Sequence, residues 1–329
     1  MQAFDKLRPN GGGLVSSNVM NSLRIAVLLP CYNEEAAIAQ TVAGFRAALP
    51  AAQIYVYDNN SSDRTREVAA GAGAIVRSER MQGKGHVVRR MFADVEADIY
   101  VMADGDATYD AAAAPALIAK LLDEQLDMVV GARKSQVEEA YRRGHKLGNR
   151  LFTGLLARLF GRTFSDIFSG YRVFSRRFAK SFPALSRGFE TETEISVHAL
   201  ELVMPVGEIV TAYGARPEGS ESKLSTYRDG WRILRTILHL VRIERPVLFY
   251  GGFALALALL AVVLAVPLVL TYAETGLVPR FPTAILVTGM MIVAALSFMC
   301  GLILDTVVRG RREVRRLHYL SFPAPGADR

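Results

Sequence analysis

Two long apolar runs near the C-terminus constrain this chain more than any other feature. The first, VLFYGGFALALALLAVVLAVPLVLTYA, covers residues 247–273, and the second, TAILVTGMMIVAALSFMCGLIL, covers residues 283–304. Neither contains a charged residue. As a helix, each is long enough to cross a hydrocarbon core of roughly 30 Å, and core helices of soluble domains seldom run so long without a charge. Arg242 and Arg245 precede the first run, while Arg309, Arg311, Arg312, Arg315 and Arg316 follow the second. The connection ETGLVPR holds only Arg280. Lys and Arg collect on the cytoplasmic side of membrane helices. Both flanks are therefore expected in the cytoplasm, with everything before Arg242, and the connection outside. The formal net charge of +7 then suits anionic membrane lipid. No nucleic-acid motif competes with that reading.

Residues 23–133 alternate between two periodicities. RIAVLLP, AQIYVYD, AIVRS, DIYVMAD and DMVVGAR read as five short strands. Between them lie helical segments. In EEAAIAQTVAGFRAAL, for example, Ile38, Val42, Phe45 and Leu49 step by four, three and four. SSDRTREVAAGAG reads as a helix capped by Ser62 or Asp63. Strands alternating with helices predict a mostly parallel sheet covered on both faces. Ligands bind beyond the carboxyl ends of such strands, and the polar clusters PCYNEE, YDNNSSD, ADGDATYD and GARKS fall at those ends.

The pattern changes after Arg133. YRRGHKLGNRLFTGLLARLFGR sets Leu151, Phe152, Leu155, Leu156, Leu159 and Phe160 on one face with basic residues around them, which suits a helix lying in a membrane interface. YRDGWRILRTILHLVRIER repeats the pattern directly before the first apolar run. Residues 1–22 lack an apolar core of signal-peptide length and read as a loose extension. Cys31 and Cys300 form neither a disulfide framework nor a metal-ligand pair. The expected organisation is an extension (1–22), a cytoplasmic α/β domain (23–227) with an interfacial helix at about 141–161, and a juxtamembrane helix (228–245). Two spans within 246–308 and a basic tail (309–329) complete it.

Asp104 and Asp106 stand one residue apart at a strand end, so both carboxylates project to one side. Such a pair suits Mg²⁺ or Mn²⁺ completed by substrate phosphates. Tyr32 is placed to face a base, and Asn33 and Glu34 to bond base or ribose. Asp58, ending the second strand, suits ribose hydroxyls. QGKG offers close backbone approach and the charge of Lys84. It matches neither the Walker A spacing nor G-x-G-x-x-G, which argues against an NTPase or a dinucleotide oxidoreductase. In FETETEI, Glu190, Glu192 and Glu194 alternate as on a strand, with one facing the site or all on a solvated face.

LLPCYNEE, YDNNSSDRT, QGKG, ADGDATYD and SDIFSGYRVFSRR, in that order, resemble the family 2 glycosyltransferases with a GT-A fold. More narrowly, residues 24–223 resemble the polyprenyl-phosphate glycosyltransferases, which include dolichyl-phosphate mannose synthase, and the two apolar runs resemble the bacterial type. The resemblance implies that Pro30, Tyr32, Glu34, Asp58, Lys84, Ala103 and Asp104 line a nucleotide-sugar site. Arg216 and Lys223 would close over the diphosphate. It further implies that Asp104 and Asp106 hold a divalent cation, Mg²⁺ or Mn²⁺, with Asp106 the more direct ligand. Asp104, Asp106 and Arg133 would be the catalytic residues, and Arg133, Arg143 and Lys146 would hold the acceptor phosphate. Lipid-headgroup contact is the equal alternative for the last two. Asp166 and Ser169 would approach the acceptor or cap a turn. Thr108 departs from the family, where a Gln is common, which puts coordination at that position in doubt.

The implied reaction moves a sugar, with inversion, from a nucleotide diphosphate sugar to a polyprenyl phosphate. A UDP-hexose or derivative and undecaprenyl phosphate are the expected pair. The product would be a lipid-linked sugar for envelope glycans such as lipopolysaccharide. The expected location is the bacterial inner membrane, with the catalytic domain and both termini cytoplasmic and a homo-oligomer possible. The alternatives are a GDP-mannose-using enzyme, a processive polysaccharide synthase and a catalytically dead scaffold. The synthase usually has more spans and a Q-x-x-R-W motif, whereas the one tryptophan here, Trp231, sits in GWRIL.

Overall fold

The computed structural model describes residues 22–135, 154, 164–185, 190–214 and 241–325. The chain divides into two compact units, residues 1–224 with 316–329, and residues 225–315. The first is built on a seven-stranded sheet. Its strands are β1 (Ile25–Cys31), β2 (Gln53–Asp58), β3 (Ile75–Ser78), β4 (Ile99–Met102), β5 (Met128–Ser135), β6 (Arg172–Ser175) and β7 (Val206–Tyr213). The five expected strands form. β6 and β7 were not foreseen: β6 is only four residues long, and both follow the region where the strand–helix alternation lapses.

The spatial order is β3-β2-β1-β4-β6-β5-β7. β1 pairs in parallel with β2 and β4, β2 with β3, and β5 with β7, whereas β6 runs antiparallel to both its neighbours. This topology positions the site. The chain winds outward from β1 to β3, then returns to place β4 on the other side of β1. Loops leaving β1 and β4 therefore diverge and open a crevice at the carboxyl edge. Because β6 is reversed, its first residue, Arg172, pairs with Met102 of β4 and Val130 of β5. The segment 164–171 leading into β6 thus lies at that same edge.

The helices of this unit are α1 (Ile38–Ala48), α2 (Thr65–Gly71), α3 (Lys84–Asp94), α4 (Ala114–Asp123), α5 (Arg176–Ser181) and α6 (Thr191–Glu201). On α1, Ile38, Val42 and Phe45 are buried as their spacing predicts, and Leu49 is buried just beyond its end. Burying each such side chain is worth roughly 1.5–3 kcal/mol. They join Val27, Leu29, Val101 and Val129 from the strands in one core. Two local expectations change. α2 starts at Thr65, with Arg64 at the cap position and no side-chain cap bond. Asp63 instead accepts bonds from the Thr65 amide and hydroxyl. Glu190 is the N-cap residue of helix α6, and Glu192 and Glu194 lie in its first turn, so the three glutamates fan around a helix start and not along a strand.

The second unit contains α7 (Pro246–Thr275) and most of α8 (Phe281–Leu320). They are 30 and 40 residues long, and only 11% of the most apolar stretch of each is buried. At 1.5 Å per residue these helices measure about 45 and 60 Å. Their length and exposed apolar surface set them apart from buried core helices. Asp305 pairs with Arg309 one turn on, at 2.7 Å. The basic segment after residue 308 is helical through Leu320, the end of α8. In the first unit, Tyr319 at its end donates to the buried Asp127 at 2.7 Å, with Arg177 stacked over the Tyr319 ring.

Candidate active site

The loops after β1 and β2 are stitched together by their own polar side chains. Asn33 bonds two successive serines of the loop after β2: its amide donates to Ser61 Oγ at 2.9 Å, and its Oδ1 accepts the Ser62 amide at 2.8 Å. The Glu34 amide donates to Thr65 Oγ1, and Glu35 forms an ion pair with Arg64. Asn33 and Asn60 take left-handed backbone conformations, at φ 55° and 62°, which Asn tolerates better than most residues. Asn33 thus helps to build the loop through its amide and its side-chain oxygen. Tyr32 is 39% exposed, an unusual setting for a large ring. Pro30 and Ala103 lie at the strand ends, Ala103 fully buried with its amide bonded to Leu28 O. Asp58 is buried at the end of β2, and its carboxylate accepts the Ser61 amide.

Asn59 builds the next loop. Its side-chain amide donates to Glu79 O and Met81 O at 2.9 and 2.8 Å, and its Oδ1 accepts the Gly83 amide at 2.7 Å. Gly83 has φ 130°, a conformation that strongly favours glycine. Helix α3 starts immediately after it, which sends Lys84 into the site. Lys84 Nζ lies 2.5 Å from Asp104 Oδ1 and 2.5 Å from Glu192 Oε1. Burial alone would lower the pKa of this ammonium, but the charges of Asp104 and Glu192 and their hydrogen bonds outweigh it and hold the pKa raised.

The two aspartates of the D-x-D segment have different settings. Asp104 is the more open, with a side chain 32% exposed. Gly170 packs against it so closely that a Cβ there would come within 2.6 Å of Asp104 Oδ2. Asp106 is buried. Thr108 donates to its Oδ1 twice, through the hydroxyl at 2.6 Å and the amide at 3.2 Å. Thr108 therefore orients a carboxylate. Between the aspartates, a Cβ on Gly105 would collide with Cys31 Sγ. Asp110 caps a short 3₁₀ turn by accepting the Ala112 amide.

Arg133 ends up beside a residue 33 positions later. Its Nε and Nη2 bond Asp166 Oδ2 and Oδ1 at 2.7 and 2.9 Å, and its guanidinium lies over the Tyr213 ring. Burial would raise the Asp166 pKa, but the hydrogen bonds and charge of Arg133 hold it below the usual carboxylate value. Ser169 donates to Gly131 O at 2.6 Å. Asp166 and Ser169 thus brace the β5 end. Arg172 is fully buried and bonds Ser169 O, Ile167 O, Glu192 O and Ser196 Oγ. Burial pushes its pKa down to about 10. It ties the 164–171 segment to the start of α6. Neither this role nor the Lys84–Glu192 pairing was legible in sequence. At the other rim, the Gly214 amide donates to Thr108 O at 2.8 Å. Arg143, Lys146, Arg216 and Lys223 lie outside the described residues.

Among the described residues, no group of three or more His, Cys, Asp or Glu side chains could hold a metal ion. Asp104 and Asp106 nonetheless fit a hard cation that takes part of its oxygen shell from phosphates and water, the way Mg²⁺ is usually bound.

A sheet of this order, with polar loops gathered around paired aspartates at its carboxyl edge, is the architecture of a GT-A nucleotide-sugar transferase. A family model for Glycosyl transferase family 2 matches residues 26–182. An uncharacterized protein of Shigella flexneri is 54% identical over 153 residues, 46% of this chain and 94% of its own length. The glycosyltransferase AglJ of Haloferax volcanii is 31% identical over 234 residues, 70% of this chain and 77% of that protein. A dolichyl-phosphate hexose transferase of the same organism is 28% identical over 227 residues, 67% and 95% of the two chains. Glucosyl-3-phosphoglycerate synthase from Mycobacterium tuberculosis, solved with Mg²⁺ and uridine-diphosphate, shares the fold with a TM-score of 0.57. Its identity is 23%, over 71% of this chain and 84% of that one. The chain belongs to glycosyl transferase family 2.

Proposed function

We propose that this glycosyltransferase moves a hexose or hexose derivative from a UDP-sugar to a polyprenyl phosphate, undecaprenyl phosphate in a bacterium, at the cytoplasmic face of the membrane. The observation that carries the proposal is the union of a family 2 domain with two apolar helices long enough to span a bilayer. A soluble acceptor would not require such an anchor, whereas a lipid phosphate confines the reaction to the membrane surface. The dolichyl-phosphate hexose transferase among the relatives supports the acceptor class. The uridine-diphosphate bound by the mycobacterial synthase supports the donor class.

The proposed chemistry follows from charge. A phosphate monoester, with a second pKa near 6, is largely ionised at neutral pH, so the acceptor oxygen needs no strong general base. It attacks the anomeric carbon as the bond to the nucleoside diphosphate breaks, and the configuration inverts. Asp104 and Asp106 would hold Mg²⁺ or Mn²⁺, which supplies positive charge for the leaving diphosphate. Lys84 adds charge on the same side. Arg133 meets the acceptor phosphate, and because Asp166 grips its fork, that phosphate must share the guanidinium. Arg143 and Lys146 complete the acceptor site, and Arg216 and Lys223, which follow Gly214 in the chain, close over the diphosphate. Tyr32, Glu34 and Asp58 take the base and ribose.

The purified full chain, offered UDP- and GDP-sugars with Mg²⁺ or Mn²⁺ and undecaprenyl phosphate, is expected to yield a lipid-linked sugar from a UDP-sugar. Product from GDP-mannose alone would replace the donor assignment. No lipid-linked product from any donor would overturn the proposal.

A further inference from the structure

Glu192 is a carboxylate in an unusual place. Its side chain is 7% exposed, Oε1 sits on Lys84, and Oε2 is buried with no hydrogen-bond partner. Leaving a buried carboxylate oxygen unpaired is costly. The fold tolerates it through the favourable field of the α6 N-terminus. Its backbone is also held, since Arg172 Nη2 and Ser196 Oγ both donate to Glu192 O. Those contacts use the main chain and would survive any side chain of similar size. The carboxylate itself is needed for something else.

Lys84 carries three N–H donors, and two carboxylates contest them. With the site as it stands, the ammonium neutralises Asp104 at hydrogen-bond distance. A divalent cation on Asp104 would meet that ammonium as a like charge a few ångströms away, in a setting too dry to screen the repulsion well. The ammonium must then give up Asp104. Glu192 already touches it and has a second oxygen to offer.

We infer that Glu192 is a positioning residue that makes Lys84 an exchangeable counter-ion: Lys84 neutralises Asp104 before the cation arrives and is retained by Glu192 afterwards. Glu192 thereby sets the affinity of Asp104 for the cation. The inference rests on the assignment of Asp104 to a metal in the proposed function. Competition gives it a distinctive signature. Without the Glu192 charge, Lys84 has one anionic partner, grips Asp104 harder and resists the cation. Without the Lys84 charge, Asp104 has no internal competitor.

The test is Mn²⁺ binding to the detergent-solubilised full chain, with and without UDP, followed by the electron paramagnetic resonance signal of free Mn²⁺. Glu192→Gln is expected to weaken binding and Lys84→Met to tighten it, each roughly tenfold, a modest part of what one unit charge at this distance can contribute. In the Lys84→Met background, adding Glu192→Gln is expected to change the affinity less than about threefold, because the competitor is gone. Additive effects in this cycle would overturn the inference and leave the metal assignment standing. Wild-type protein that binds no Mn²⁺ in either condition would overturn both. Thermal unfolding checks that each variant folds, and if Glu192→Gln does not, looser or unchanged binding in Lys84→Met alone overturns the inference.

Discussion

Arg133 and Asp166, 33 residues apart in sequence, form a two-pronged ion pair at the carboxyl edge of β5, with the Arg133 guanidinium stacked on Tyr213. Both side chains are largely buried, so removing one charge strands the other. Asp166→Asn is expected to destabilise the domain by about 3–5 kcal/mol, the range for breaking a buried pair by removing one partner. Activity should fall further, because Arg133 loses its orientation. Thermal unfolding and turnover, measured together, check this; a variant of wild-type stability refutes the bracing role.

The same pair sets an acid limit. The Asp166 pKa is lowered on folding, so its contribution is fully present above the unfolded-state value of about 3.9 and is lost as the pH falls through the lower folded value. Between neutral pH and about 4, Asp166 therefore adds no pH dependence to stability. Comparing unfolding of wild type and Asp166→Asn across acid pH should show their stabilities converging only below that point.

Thr108 donates twice to Asp106 Oδ1. Thr108→Val removes the hydroxyl bond and keeps the shape. A hydrogen bond to a charged group is worth about 1.5–3 kcal/mol, so metal-dependent nucleotide binding should weaken by roughly ten- to a hundredfold. Thr108→Ser should retain most of it. Equal binding by the Val and Ser variants would show that the hydroxyl does not orient Asp106.

Gly105 is confined by Cys31 Sγ. Gly105→Ala is expected to displace the D-x-D segment and remove most activity. Cys31→Ala opens that space, so the double variant should recover activity relative to Gly105→Ala alone. Absence of any recovery would locate the defect in the backbone rather than in this contact.

Asp106→Ala is expected to abolish turnover while the protein still inserts in membranes, because the apolar helices lie in a separate unit of the chain. Fractionation and a turnover assay on one preparation check both halves. Unchanged turnover would refute the metal-ligand role of Asp106.

By itself, the sequence determined the parts governed by local rules. Period-two and helical patterns marked five strands and their helices, and the Ile38, Val42, Phe45 series named its own buried face. The absence of charge over 247–273 and 283–304 marked the two long helices. Polar clusters at strand ends pointed to the crevice, since in parallel sheets all such ends gather at one edge. What remained depended on partners distant in the chain. The antiparallel insertion of β6 between β4 and β5 is a matter of sheet register, and four residues carry too little pattern to announce it. That insertion brings Asp166 to Arg133 and Gly170 to Asp104. It also buries Arg172, a residue type that would otherwise be assigned to the surface. The start of α6 is no more local: only tertiary packing sets Glu192 against Lys84, 108 positions earlier (192 − 84). Charge pairs across such separations form because the fold removes both groups from water, where an ion pair is worth little, and leaves each as the other's best remaining partner.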